Sequence, residues 1–208
     1  LVKNEAMYAG ECVAIVIATS RHIAEDAASL VEMDFEPLPA VGNCKAALAP
    51  DAPMAMMGAD SNVMMEMMTD YGDAAAAFAK APHIFRESIW QHRGSAHPIE
   101  CRGAVARYED VQDSITLWTS TQMPNLVHGF IVKLLGKNEN YIRVITPDVG
   151  GGFGPKFLFY SEEVVVALAA RLCGQPVKWT EDRREHFVSA VQERDQYWEA
   201  EIAIDDEG

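Results

Sequence analysis

A glycine-rich loop at residues 146–156, with the sequence TPDVGGGFGPK, is the part of the chain best suited to bind a ligand. Glycine adopts backbone conformations that other residues avoid, and it lets a ligand approach the main chain closely. Successive N–H groups of such a loop can form a concave nest of donors for oxyanions or metal-bound oxo groups. Two common glycine motifs do not fit, because Pro155 stands where a P-loop needs lysine and where a dinucleotide fingerprint needs glycine. A glycine run alone favours a tight turn without a ligand.

The elements expected to position this loop also position a glutamine. A strand predicted at residues 114–119 leads to Gln122, and a strand predicted at residues 141–145 leads into the glycine loop. In α/β architectures, ligands bind at the carboxyl ends of such strands. If the two strands are neighbours, the amide of Gln122 and the backbone N–H groups of Phe153 and Gly154 would point into one pocket.

The remaining periodicity predicts a mixed α/β fold of the α+β class. Residues 13–18 and 31–35 have strand patterns around a helix pattern at residues 22–30, which predicts a small β-α-β unit. Asp73 is a suitable cap for the next helix. Further helices are predicted at residues 74–81, 124–136 and 161–173, and further strands at residues 84–92, 104–108, 177–180 and 198–204.

Several segments together carry a family resemblance. They are PDVGGGFGPK at 147–156, SEE at 161–163, GQPVKWTEDR at 174–183, LWTSTQMP at 117–124, and HPIECRG at 97–103 with Cys101 in place of the usual proline. In this order and spacing they resemble the large, molybdenum-binding subunit of the xanthine dehydrogenase and aldehyde oxidase family. The bacterial branch with carbon monoxide dehydrogenase and N-heterocycle dehydrogenases is the most similar. Family subunits are several times longer, so the chain is expected to be part of a larger subunit.

The resemblance implies a domain plan and a site. Residues 1–45 would be the C-terminal part of an α/β hammerhead domain, residues 46–72 a methionine-rich linker, and residues 73–208 the first part of a molybdopterin-binding domain. Gln122 aligns with the glutamine that hydrogen-bonds the metal's oxo ligand. Phe153 and Gly154 align with the residues whose backbone approaches that ligand, and the neighbouring loop residues Gly151 and Gly152 are expected to bind the cofactor with them.

The resemblance also implies a cofactor, partners and a reaction. The cofactor would be molybdenum on molybdopterin, in the cytosine dinucleotide form. Its electrons would pass to 2Fe-2S clusters on a small subunit and FAD on a medium subunit. The remainder of the large subunit would complete each heterotrimer, and heterotrimers would pair as dimers. The reaction would be hydroxylation of an aldehyde, N-heteroaromatic or similar small substrate, with water as the oxygen source.

Departures from the family pattern keep alternatives open. Purine-oxidising members carry a glutamate where this chain has Phe157, so xanthine oxidation is not expected. The family's catalytic glutamate and its copper-binding cysteine loop fall outside the chain. A carbon monoxide dehydrogenase-type subunit and a cofactor-less scaffold or binding relative therefore stay open. So does copper binding by a methionine cluster, although a flexible apolar strap is favoured: Met54, Met56, Met57, Met64, Met65, Met67 and Met68.

Composition limits the kinds of partner and of metal centre that the chain is expected to have. The 208 residues have a formal net charge of −14, which argues against nucleic acid or anionic membranes as partners. No apolar run is long enough to span a bilayer. The four cysteines are widely scattered, which predicts buried free thiols in a reducing cytoplasm and places electron-transfer centres on other polypeptides. Glu100 and Arg102 are expected to form a buried polar pair of the scaffold.

Overall fold

The computed structural model describes residues 2–207 and divides the chain into two compact units. One unit comprises the chain up to Asp34 together with Ser95–Gln192. The other comprises Phe35–Gly94 and the chain from Glu193 onward. Each unit joins segments that are distant in sequence, and the domain boundaries drawn from the sequence stay predictions. Within residues 2–207, no helix combines the length and apolarity needed to cross a bilayer.

Helices and strands are both present, as the sequence predicted. The helices are α1 (Arg21–Ala28), α2 (Ala74–Lys80), α3 (Pro124–Leu135), α4 (Ser161–Cys173) and α5 (Arg183–Ser189). The strands are β1 (His83–Gln91), β2 (Gly103–Glu109), β3 (Ser114–Thr119), β4 (Ile142–Ile145), β5 (Val177–Thr180) and β6 (Gln196–Ile204).

A four-stranded sheet organises the unit that contains the glycine loop. Its strand order is β4-β3-β2-β5, with β3 parallel to β4 and β2 antiparallel to both β3 and β5. In the parallel pair, Leu117 lies opposite Val144 and Trp118 lies opposite Ile145. The carboxyl ends of β3 and β4 therefore meet at one edge of the sheet. This confirms that the two predicted strands are neighbours.

The core of this unit follows from strand alternation and from small residues on a helix. Ile115 and Leu117 are buried on one face of β3. Ala167 and Ala170 of α4 are fully buried, and their small side chains let the helix approach the sheet closely. Proline starts α3, and Gly136 ends it at φ 60° in the left-handed region that favours glycine.

The second unit contains a two-stranded sheet in which β1 and β6 pair antiparallel along their whole length, from His83 opposite Ile204 to Gln91 opposite Gln196. The cap predicted for α2 is confirmed, because the Asp73 carboxylate accepts the Ala76 N–H at 2.9 Å. The seven methionines of the predicted linker are all exposed, between 44% and 96%. Their role as a strap stays a prediction.

A small β-α-β unit was predicted near the N-terminus, and the prediction of its two strands is wrong. Only α1 forms, with Ser20 as its cap, and the described residues 13–18 and 31–35 lie outside any strand. Their apolar side chains are mostly exposed, Ile17 to 46% and Phe35 to 58%. A strand needs the backbone of a neighbouring strand to bond its N–H and C=O groups, and no described strand pairs with these segments.

The prediction of buried cysteines is also wrong. All four thiols are free, but Cys173 is exposed and the other three are only half-buried: Cys12, Cys44 and Cys101.

Candidate functional site

The end of β3 and the glycine loop are joined directly by hydrogen bonds. The side-chain oxygen of Gln122 accepts the N–H of Gly154 at 3.0 Å. The backbone N–H of Gln122 donates to the carbonyl oxygen of Lys156 at 2.8 Å, and the hydroxyl of Thr121 donates to the same oxygen at 3.2 Å. Gln122 and Gly154 were expected to point into one pocket; they are instead bonded to each other, so the Gly154 N–H is not free for a ligand, and this bond joins β3 to the loop.

The loop has a backbone that requires glycine at particular positions. Gly151 and Gly154 have φ values of 94° and 101°, where other residues are strained. Gly152 is required for another reason, because a Cβ there would lie 2.5 Å from Cδ of Gln122. Phe153 has φ 54°, which is uncommon for a bulky residue, and its side chain is 73% exposed. The chain thus holds an exposed aromatic ring on a backbone position of uncommon conformation, next in sequence to Gly154, which contacts Gln122.

The loop also leaves backbone donors unused. Gly151 donates its N–H to the carbonyl of Val149 at 2.9 Å, and Gly154 donates to Gln122. Within residues 2–207, the N–H groups of Gly152 and Phe153 and the side-chain amide nitrogen of Gln122 have no acceptor. Two unused donors in the glycine loop and a third on the neighbouring Gln122 suit an oxygen-rich anionic ligand, which is the kind of group that an oxo-molybdenum centre presents. The residues therefore fit the cofactor implied by the sequence resemblance.

Glu100 binds both ends of residues 150–156, the part of the glycine loop that contains its four glycines and that is meant by the loop from here on. One carboxylate oxygen accepts the N–H of Gly150 at 2.8 Å and the ammonium of Lys156 at 2.6 Å. The Lys156 side chain is fully buried. Burial alone would raise the pKa of Glu100, but the Lys156 ammonium and the Gly150 N–H hold that pKa below its ordinary range. The predicted pair of Glu100 with Arg102 is wrong, because Glu100 binds Lys156 and Arg102 binds Glu181.

Arg102 lies instead in a buried cluster with other acidic partners. Its guanidinium is 2.6 Å from the Glu181 carboxylate and 2.9 Å from the Glu162 carboxylate. It stacks over the ring of Tyr160 at 3.6 Å from the centroid. The Glu181 carboxylate also binds Nδ1 of the fully buried His186 at 2.9 Å. This cluster holds the backbone that precedes β2, where Glu100 is located.

Glu163 is a buried acid that sequence reasoning did not single out. It lies in the first turn of α4, where it accepts the hydroxyl of Thr119 at 2.9 Å and the N–H of Tyr160 at 3.1 Å. Burial raises its pKa from an ordinary 4.5 to about 7, and these two hydrogen bonds offset the shift only in part. From the sequence, its position at the helix start indicates a favourable interaction with the helix dipole. The sequence does not indicate that the side chain is buried.

Replacing Glu163 with glutamine is expected to remove part of the pH dependence of stability. Between pH 4.5 and about 7 the folded side chain keeps its proton, whereas the unfolded side chain releases it. The free energy of unfolding should therefore fall with rising pH, by on the order of 3 kcal/mol from this residue. Urea unfolding of both proteins at about pH 5 and about pH 8 measures the difference. Equal pH dependence in the two proteins would contradict it.

Among the described residues, no group of three or more His, Cys, Asp or Glu side chains is arranged to hold a metal ion. His97 packs against the rings of His186 and Phe187, at centroid distances of 5.3 and 4.7 Å. The glycine loop with Gln122 is the candidate functional site of this unit because it combines the Gln122–Gly154 bond with unused backbone donors.

Comparison with known proteins gives the family. Residues 57–208 match the family model described as the molybdopterin cofactor-binding domain. The chain is 37% identical over 208 residues to the nicotine 6-hydroxylase large subunit of Paenarthrobacter nicotinovorans. It is 33% identical over 221 residues to the carbon monoxide dehydrogenase large chain of Afipia carboxidovorans. These matches cover 100% of this chain, but 25% and 27% of the two relatives.

Solved structures agree with the sequence relatives. The crystal structure of quinoline 2-oxidoreductase from Pseudomonas putida 86 superimposes with a TM-score of 0.82 at 40% identity, over 90% of this chain and 24% of that one. Carbon monoxide dehydrogenase from Oligotropha carboxidovorans superimposes with a TM-score of 0.80 at 33% identity, over 90% and 25%. The chain spans about a quarter of the length of the relatives it matches. It belongs to the molybdopterin cofactor-binding family of molybdenum hydroxylase and carbon monoxide dehydrogenase large subunits, as the combined resemblance of its sequence segments predicted.

Proposed function

We propose that the chain is the part of a molybdenum hydroxylase large subunit that holds the oxo side of the cofactor. The observation that carries this proposal is the bond between Gln122 and Gly154, beside which the N–H groups of Gly152 and Phe153 stay unused. When bound, the molybdenum cofactor would supply the redox chemistry that oxidises a substrate with water as the oxygen source. The chain's own contribution is to orient the cofactor and to stabilise negative charge with fixed donors.

An N-heteroaromatic compound is the substrate class that the chain supports best. Two phenylalanines flank the end of the loop with exposed rings, Phe153 at 73% and Phe157 at 54%. Such rings suit a flat apolar substrate, whereas a purine would need the glutamate that Phe157 replaces. Two of the similar proteins carry names of this class, nicotine 6-hydroxylase and quinoline 2-oxidoreductase. The second candidate is oxidation of carbon monoxide, favoured by the 33% identity to a carbon monoxide dehydrogenase large chain.

The complete enzyme is proposed to need partner subunits. The cofactor would be the cytosine dinucleotide form, and electrons would leave through 2Fe-2S clusters on a small subunit and FAD on a medium subunit. The scattered cysteines support this arrangement, because none lies close to another in the sequence as cluster ligands do. Relatives named as large chains or complex subunits support it further. A cytoplasmic dimer of heterotrimers is the proposed assembly.

Elemental analysis of the natively purified assembly tests the proposal. We expect about one molybdenum per chain with co-purifying iron, and oxidation of a quinoline or pyridine derivative with label incorporated from ¹⁸O-water. Copper alongside molybdenum, with oxidation of carbon monoxide, would favour the second candidate instead. An intact assembly without molybdenum would contradict both candidates and favour a scaffold role. Copper without molybdenum would contradict both candidates and favour copper binding by the methionine cluster.

A further inference from the structure

We propose that Glu100 is a positioning residue, which holds the glycine loop in its ligand-binding shape by tying the two ends of the loop to one carboxylate. The identity of the ligand rests on the proposed function, but the constraint on the loop does not. Glu100 is 50 residues from Gly150 and 56 from Lys156 along the chain, yet one oxygen atom contacts both. Loop residues 151–155 are therefore closed between two contacts to the same group.

The strength of this constraint comes from the burial of Lys156. Its side chain has no exposed surface, and Glu100 is the only carboxylate within ion-pair distance of its ammonium among residues 2–207. The Glu100 side chain is itself 41% exposed, so the buried partner is Lys156, and removing the Glu100 charge would leave the buried ammonium uncompensated, which is destabilising. The loop would have to rearrange to bring the ammonium to water or to another acceptor. Glu100 thus controls the end of the loop that contacts Gln122 through the Lys156 carbonyl.

Glu100 can act as an anchor because its own backbone is held on both sides. On one side, the guanidinium of Arg183 donates to the carbonyl oxygens of Pro98 and Ile99 at 2.6 and 2.7 Å. On the other side, the N–H of Arg102 donates to the Glu181 carboxylate at 2.9 Å. The segment TEDR at 180–183 therefore supports the segment that carries Glu100. The segments at 97–103 and 174–183, which the sequence marked only as similar to the family, thus have a common physical role: the second holds the backbone of the first.

Gln122 and Glu100 constrain different parts of the loop. Gln122 binds the middle of the loop at Gly154, whereas Glu100 binds its start at Gly150 and its end at Lys156. The position of the unused N–H groups of Gly152 and Phe153 depends on both contacts, because these residues lie between them. Loss of Glu100 should therefore alter the presentation of those donors without removing any group that contacts the ligand.

Hydrogen–deuterium exchange on the full chain in its native assembly tests this role. Glu100→Gln keeps an oxygen that can accept the Gly150 N–H but removes the charge facing Lys156. We expect the peptides that cover residues 150–157 to exchange about tenfold faster, with peptides of α3 and α4 unchanged. Activity per molybdenum should fall in parallel. The control Glu109→Gln removes an exposed carboxylate paired with Arg107 and should change neither quantity.

A charge-matched double variant separates this role from a general loss of stability. In Glu100→Gln with Lys156→Met the unpaired buried ammonium is gone, so the free energy of unfolding should return most of the way to the wild-type value, whereas the loop still lacks its tie and should keep exchanging fast. Loop exchange unchanged in Glu100→Gln, or restored to the wild-type rate in the double variant, would overturn the proposal. If Glu100→Gln does not fold, Glu100→Asp keeps the charge on a shorter side chain and should show intermediate exchange; wild-type exchange would overturn the proposal. The exchange readout does not need molybdenum, so a molybdenum-free assembly would contradict the proposed function alone.

Discussion

Replacing Gly152 with alanine is expected to lower turnover by about 100-fold, since small displacements of positioning groups reduce rates by this amount, and to lower molybdenum content as well. The added methyl carbon would lie 2.5 Å from Cδ of Gln122 and 2.6 Å from its Cγ and its oxygen. Distances this short force the glutamine side chain to move. That movement would break its bond to Gly154, which is the contact that joins β3 to the middle of the loop.

Because of the backbone conformation of Gly152, the Gly152→Ala variant tests the steric contact with Gln122 without a contribution from backbone strain. Its φ lies outside the left-handed region, so alanine causes no backbone strain at this position. A matched control is Gly129→Ala in α3, where an added Cβ has no neighbour within 4 Å and molybdenum content should be unchanged. Combining Gly152→Ala with Gln122→Ala removes the steric conflict but also the oxygen that accepts the Gly154 N–H, so it should restore neither turnover nor the loop protection that this bond gives. Wild-type molybdenum and turnover in Gly152→Ala would contradict the site assignment.

Elements with local signals could be predicted from the sequence almost to the residue. β3, β5 and α4 have the predicted bounds, because each combines a clear apolar pattern with a defined stop. For α4 that stop is Gly174, whose φ of 61° belongs to the left-handed region. The meeting of Gln122 with the glycine loop was also predictable, since it needed only that two strands leading to them be neighbours. The parallel pairing of β3 with β4 satisfies that condition.

Features that depend on distant partners could not be predicted in the same way. Residues 13–18 have the composition of a buried strand, but composition does not supply a neighbouring strand. Glu100 and Arg102 are close in sequence and opposite in charge, yet each has a partner more than 50 residues away: Lys156 for Glu100 and Glu181 for Arg102. The helix α5 has 7 residues, as α2 does, but it was missed because it lacks the alanine-rich composition that identified α2. Its capping box, from Asp182 to Glu185, was the signal that could have identified it.

Replacing Glu181 with alanine is expected to lower the free energy of unfolding by about 3–5 kcal/mol. The Glu181 side chain has no exposed surface and accepts three bonds from Arg102, two of them from the guanidinium. It also accepts a bond from the hydroxyl of Ser189 and binds the ring of the buried His186. Alanine would leave the backbone N–H and Nε–H of Arg102 without an acceptor, while Nη2 would keep only the Ser189 hydroxyl at 2.8 Å, and Glu162 would be the remaining ionic partner of Arg102. Urea unfolding of the full chain measures the loss.

The control for this prediction is an ion pair of the same chemistry at the surface. Glu109→Ala breaks the contact with Arg107, but both side chains are about half exposed, at 44% and 55%. Water replaces such a contact readily, so the expected loss is below about 1 kcal/mol. Equal losses in the two variants would mean that burial does not strengthen the Arg102 cluster. A large loss in Glu181→Ala alone, accompanied by faster exchange at residues 150–157, would mean that this cluster supports the loop through the segment that carries Glu100.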